Sequence, residues 1–254
     1  MTLHFQTFGS GFPLVILHGL FGSSDNWQSL SKRLAQQFQV YAVDLRNHGN
    51  SPHADEFNYV VMAEDLREFF ATHGISSAHL LGHSMGGKAA IQFARMFPDL
   101  VEKLVVVDIA PKKYPRSHDS IFAALFSIDP GSFTTRSAVD QALAPQIPDP
   151  AVRHFLLKNL ATAENGSLKW KLNLPAIQKH YVEISEAPPA TQLFSKPTLF
   201  IRGGKSQYVD AQDEPLIQVE FPKARIVTIP EADHWVHADA PHEFLRILLS
   251  FLQD

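Results

Sequence analysis

The feature that most constrains this chain is a five-residue turn, Gly82-His83-Ser84-Met85-Gly86, set between an apolar strand and a run of helix formers. Ala78-His79-Leu80-Leu81 leads in and Gly87-Lys88-Ala89-Ala90 leads out. The spacing fits G-x-S-x-G, a sharp strand-to-helix turn that lifts a serine hydroxyl above the sheet edge. Side chains at positions 82 and 86 would collide with the neighbouring strand or helix, so both are glycine. The serine itself takes strained dihedrals that only tight surroundings can impose. Because Ser84 opens the helix, the Met85 amide points at whatever the serine attacks, with the helix dipole behind it. Ser84 is the expected nucleophile.

A turn of this kind needs a sheet around it. Strands buried on both faces of a parallel sheet read as unbroken apolar runs, and such runs occur at 14–17, 40–43, 104–107 and 198–201. A last strand covers 225–229, and residues 3–8 alternate like a half-exposed edge strand. Helical patterns fill 24–37, 57–73 and 241–252. The alternation predicts an α/β architecture, a mostly parallel doubly wound sheet with functional groups beyond the carboxyl ends of its strands. Between 111 and 196 the strand rhythm stops, and short helices are broken at Pro130-Gly131, Pro145, Pro148, Pro150, Pro175 and Pro188-Pro189. That stretch is too long for a plain loop. It is expected to be a helical cap (111–196) over a core made of 1–110 and 197–254.

Composition narrows the chemistry. With no cysteine among 254 residues, disulfides, thiolate metal sites and a cysteine nucleophile are excluded. The formal net charge of -4 argues against a nucleic-acid partner. Met1-Thr2-Leu3-His4-Phe5-Gln6 lacks the basic-then-apolar pattern of a secretory signal. No apolar run reaches membrane-spanning length, so the expected compartment is the cytoplasm, with no membrane partner.

A serine hydroxyl needs a base within hydrogen-bond reach, and 13 histidines compete for that role. His234 follows the last strand, where a loop returns over the sheet edge that carries Ser84, in the order serine, acid, histidine. His83 adjoins the nucleophile, but consecutive residues of a strand point to opposite faces, which aims it away. His234 and His237 have no acidic or cysteine partner at ligand spacing, so no metal is expected.

The whole chain resembles the α/β-hydrolase family. Counting strands as that family does, His18-Gly19 follows the third and Asp44-Leu45-Arg46-Asn47-His48-Gly49 the fourth; the serine turn and Asp233-His234 complete the pattern. His18-Gly19-Leu20-Phe21-Gly22-Ser23, Val107-Asp108-Ile109-Ala110-Pro111, Gly203-Gly204-Lys205-Ser206-Gln207-Tyr208-Val209 and His234-Trp235-Val236-His237 are more narrowly similar to bacterial carboxylesterases of the family. The resemblance implies a cap inserted after the sixth strand. It also implies an acid in one of two places. The usual one, after the seventh strand, holds Ser206 here, and the alternative, at the end of the sixth, holds Asp108. Asp108 is the expected orienting acid, with Asp210 and Asp213 as rivals placed to cap a helix. Ser206 both donates and accepts, so it could bridge Asp108 and His234. The oxyanion donors expected are the Met85 amide and that of Leu20, or less favourably Phe21.

His18, Arg46, Asn47 and His48 read as structural. Asn47 replaces the more usual glycine and tolerates left-handed dihedrals. Apolar cap residues, among them Ile121, Phe122, Phe155, Leu156 and Trp170, are expected to form cap core, with some facing substrate. Lys112, Lys113, Arg116, Arg153 and Lys158 suit a solvated basic face or an anionic substrate.

The resemblance implies a serine carboxylesterase or thioesterase acting on small to medium acyl esters, acyl-CoA included, through an acyl-enzyme. No cofactor is needed, the partner is a small-molecule ester or thioester, and the chain is expected to be a monomer or weak homo-oligomer. The alternatives are a C–C bond hydrolase or lyase on the same triad, and a non-catalytic ligand-binding receptor.

Overall fold

The computed structural model describes every residue except Thr191. Its elements in chain order are β1 Phe5–Phe8, β2 Phe12–Leu17, α1 Gln28–Leu34, β3 Phe38–Val43, α2 Tyr59–Thr72, β4 Ala78–His83, α3 Met85–Met96 and β5 Val101–Val107. Then come α4 Asp119–Phe126, α5 Arg136–Leu143, α6 Pro150–Leu157, β6 Leu160–Thr162, β7 Leu168–Trp170, α7 Leu174–Lys179 and α8 Tyr181–Ser185. The chain closes with β8 Thr198–Gly203, α9 Glu214–Glu220, β9 Ala224–Ile229, α10 Val236–Asp239 and α11 Pro241–Gln253.

Seven strands form one sheet in the order β1-β3-β2-β4-β5-β8-β9. Only β1 runs antiparallel, at the edge expected for 3–8. The apolar runs divide their side chains between two cores, as doubly buried strands must. Leu80, Leu104 and Val106 pack under α2 and α3, while Leu81, Val105 and Val107 pack against α1 and α11. The strand the family counts as sixth is the fifth here, because this sheet has seven strands.

After β2 the chain moves outward to β3, then returns to lay β4 on the other side of β2. That reversal opens a crevice beyond the carboxyl ends of β2 and β4, where ligands bind in open α/β sheets. Ser84 and the loop 18–22 lie there. A Cβ on Gly82 would come 2.7 Å from Gly87 Cα, and one on Gly86 would come 2.6 Å from the Leu17 carbonyl oxygen. Neither backbone can yield without moving a core element. Gly86→Ala should therefore cost about 3 kcal/mol or more, read by equilibrium urea unfolding; parent-like stability would show that β2 and α3 can part.

The segment between β5 and β8 is not wholly helical as expected. Among the described residues it carries five helices and a hairpin, β6 with β7, turned through Asn165-Gly166, where Gly166 has φ 83°. Several bonds moor it to the sheet layer. Tyr59 donates to the Ile184 carbonyl at 2.5 Å, Lys88 to those of Ser185 at 3.1 Å and Glu186 at 2.8 Å. Asn159 Nδ2 donates to the Phe21 carbonyl at 2.7 Å. Among the described residues no helix is long and apolar enough to cross a membrane.

Candidate active site

Ser84 sits at φ 53°, ψ -121°, left-handed and strained, as its turn requires. Its Oγ lies 3.0 Å from His234 Nε2, and His234 Nδ1 lies 2.7 Å from Asp108 Oδ2. Asp108 accepts at Nδ1–H, so that nitrogen carries the imidazole proton and Nε2 is left to accept from the serine hydroxyl. Asp108 is buried just past the end of β5, at a φ of 50°. Its other oxygen accepts from the Gly203 amide at 2.9 Å. The structure thus brings Ser84, His234 and Asp108 into one hydrogen-bonded chain.

Ser206 also meets Asp108, but not as the expected bridge. Its hydroxyl donates to Asp108 Oδ2 and accepts from the Tyr208 amide at 3.2 Å, and among the described residues it makes no bond to His234. Of the two groups it was expected to join, it contacts the carboxylate. The rival acids are occupied elsewhere. Asp210 accepts from Gln212 N at 2.7 Å as a helix cap, and Asp213 pairs with Lys112 at 2.7 Å.

His83 makes no hydrogen bond to Ser84 among the described residues, as expected. Strand alternation does turn it from Ser84, yet it lies beneath His234, donating from Nε2 to the His234 carbonyl at 2.9 Å with ring centroids 4.8 Å apart. Burial holds its pKa well below the ordinary imidazole value. On the other ring contact, Tyr208 stacks on His234 at 3.8 Å and 17°. No local sequence pattern marks Tyr208 for this place, because its position depends on how the loop after β8 folds.

The loop after β2 is pinned by two neutral histidines. His18 Nδ1 donates to the Gly19 carbonyl at 2.8 Å while Nε2 accepts from Leu45 N at 3.0 Å. His48 Nε2 accepts from the Phe21 amide at 3.3 Å, and burial pushes His48 down to about 3. The Phe21 amide is therefore spent. The Leu20 amide makes no hydrogen bond among the described residues, and Leu20, Met85 and Ser84 line a small recess of about 50 Å³. Asn47 has φ 67°, matching its expected tolerance.

A cavity of about 800 Å³ opens over Ser84. Ile121, Val152, Phe155, Leu156 and Trp235 line it, so some apolar residues of the inserted segment do border the same space as Ser84. Phe122, Leu125 and Leu157 are buried within that segment. Of the basic residues, Lys112, Lys113, Arg116 and Arg153 are paired with Asp213, Glu186, Asp119 and Asp140. Lys158 borders the cavity.

The fold and this crevice define a class, the α/β-hydrolases. Residues 13–241 match the family model of the alpha/beta hydrolase fold, and the chain belongs to that family. A solved structure described as a marine microorganism esterase is 46% identical, with a TM-score of 0.96 over 98% of each chain. The sn-1-specific diacylglycerol lipase ABHD11 of Mus musculus is 41% identical over 94% of this chain and 80% of its own. Esterase YbfF of Escherichia coli K12 is 38% identical over 95% of this chain and 93% of its own. The likeness to bacterial carboxylesterases read from the motifs is borne out.

Proposed function

We propose that the chain is a serine ester hydrolase acting through an acyl-enzyme. Relatives named as an esterase and a diacylglycerol lipase support ester hydrolysis. The observation that carries the finer reading is the hydrogen-bonded chain Ser84–His234–Asp108 at 3.0 and 2.7 Å, beneath an apolar cavity. Ser84 Oγ attacks the acyl carbon as His234 Nε2 takes its proton, and Asp108 stabilises the imidazolium that forms. The amides of Met85 and Leu20 receive the oxyanion, each contributing about 3 kcal/mol in the transition state. His234 then gives its proton to the departing alcohol or thiol, and water repeats the sequence to free the acid.

The cavity of about 800 Å³ suits small to medium apolar acyl groups. Four of the five basic residues considered for acyl-CoA are already paired with carboxylates, which favours oxygen esters over acyl-CoA. We assign residues 111–196 to a cap that bounds the acyl site. The working compartment is taken as the cytoplasm and the working form as a monomer or weak homo-oligomer.

The test is hydrolysis of p-nitrophenyl esters of graded acyl length with fluorophosphonate labelling. A burst of p-nitrophenol, with label on Ser84 and none on Ser84→Ala, is expected. Label without ester turnover would favour C–C bond chemistry on the same residues. Neither label nor turnover would favour a ligand-binding receptor.

A further inference from the structure

One polar group of the cavity wall plays no part in the relay above. His118, at the start of α4, borders both the large cavity and the small recess, each of which Ser84 also lines. Its ring packs edge-on to Phe21 at 6.0 Å. Behind it stands the buried phenol of Tyr181, whose oxygen receives the amides of Ser117 and His118, both at 3.1 Å, and lies 2.7 Å from His118 Nδ1.

A phenol oxygen has two lone pairs and one proton. The two amides take the lone pairs, so the proton is left for His118 Nδ1. An accepting Nδ1 in a neutral ring places the ring proton on Nε2. Burial favours that neutral ring, pushing His118 down to about 4. Nε2 makes no hydrogen bond among the described residues, and His118 is half-buried at the junction of the two spaces. The result is an uncharged N–H donor on a residue that lines both spaces bordered by Ser84.

We propose that His118 is a specificity-determining residue: its Nε2–H donates to an oxygen of the substrate other than those of the ester being cleaved. The enzyme then prefers esters with a second oxygen acceptor, such as an ether, hydroxyl or further ester carbonyl, a few bonds from the scissile group. The reason is desolvation. A plain alkyl ester filling the cavity strips water from Nε2–H and gives nothing back, whereas an acceptor-bearing ester replaces the lost bond. Sites built to hydrogen-bond a substrate discriminate strongly against analogues lacking the partner. The scissile carbonyl is not the partner, because Met85 and Leu20 already serve it. This inference rests on the ester-hydrolase reading above.

The experiment compares isosteric esters in which oxygen replaces one methylene. On the alcohol side these are 2-methoxyethyl and n-butyl butyrate; on the acyl side, p-nitrophenyl 3-methoxypropanoate and p-nitrophenyl valerate. Each kcat/KM is divided by the ester's own rate with hydroxide. Wild type should favour the oxygen-bearing member of at least one pair by about tenfold or more. His118→Phe should bring that ratio near one, and His118→Gln, which restores a donor at similar reach, should recover part of it. Tyr181→Phe, which frees the tautomer, should lower it. Turnover with no preference in wild type, or a preference that survives His118→Phe, would overturn the inference alone. No turnover of any of the four esters would overturn the hydrolase reading and this inference with it.

Discussion

Asp108→Asn should slow ester turnover by about four orders of magnitude while leaving the fold in place. The carboxylate takes three donors: His234 Nδ1–H and the Ser206 hydroxyl on one oxygen, the Gly203 amide on the other. An asparagine keeps the backbone, since it tolerates the φ of 50° found here. It offers only one accepting oxygen, and its NH₂ must then face a donor. The arrangement relaxes when His234 moves its proton to Nε2, so that Nδ1 accepts from the amide. That tautomer presents N–H to Ser84 and cannot take its proton. Ser206→Ala removes one bond to the carboxylate without reversing the tautomer, so its effect should be about tenfold, with the acidic limb of kcat/KM displaced. Steady-state hydrolysis of p-nitrophenyl butyrate, with thermal unfolding as a check on the fold, reads both. Activity of Asp108→Asn within tenfold of the parent would remove Asp108 from the relay.

How far these features are legible in the sequence follows from how local their causes are. The serine turn is written in five residues because its constraint is steric and acts within one turn of chain. The doubly buried strands show as apolar runs because both faces meet a core, as the split of Leu80 and Leu81 between two cores illustrates. The hairpin at β6 and β7 is hard to read although Asn165-Gly166 is a strong turn signal; its three-residue strands are too short for alternation to appear. His83 shows a different limit. Alternation gives the face on which a side chain emerges, but not that the loop after β9 would fold onto that face. Tyr208 and His118 lie further out of reach, because each acquires its place from partners far along the chain. Asp108 is legible only through resemblance: two strand ends could supply the acid, and composition does not choose between them.

Acid should unfold this protein steeply, starting well above the range of ordinary carboxylate titration. His48, His79 and His237 are buried and uncharged, held by burial at about 3, 4 and 3. Smaller contributions come from the neighbouring His18, Lys103 and His234, respectively. In the unfolded chain each titrates near its ordinary value of about 6.5. Between that pH and the folded values, unfolding takes up protons, so stability falls as pH falls. The contribution is whole above about pH 6.5 and is lost progressively towards pH 3 to 4. Near pH 5 the three together take up nearly three protons, a slope of about 4 kcal/mol per pH unit. Urea unfolding at pH 8, 6.5 and 5 should show little change over the first interval and a sharp loss over the second. His79 gives the control, since its ring lies against Phe12 at 4.7 Å and Phe38 at 5.8 Å and its Nδ1 has no partner among the described residues. His79→Phe keeps an aromatic there and deletes one titration, so the slope should drop by about 1.4 kcal/mol per pH unit. An unchanged slope in that variant would mean His79 takes up its proton in the folded state, and that the strain of acid falls on other groups.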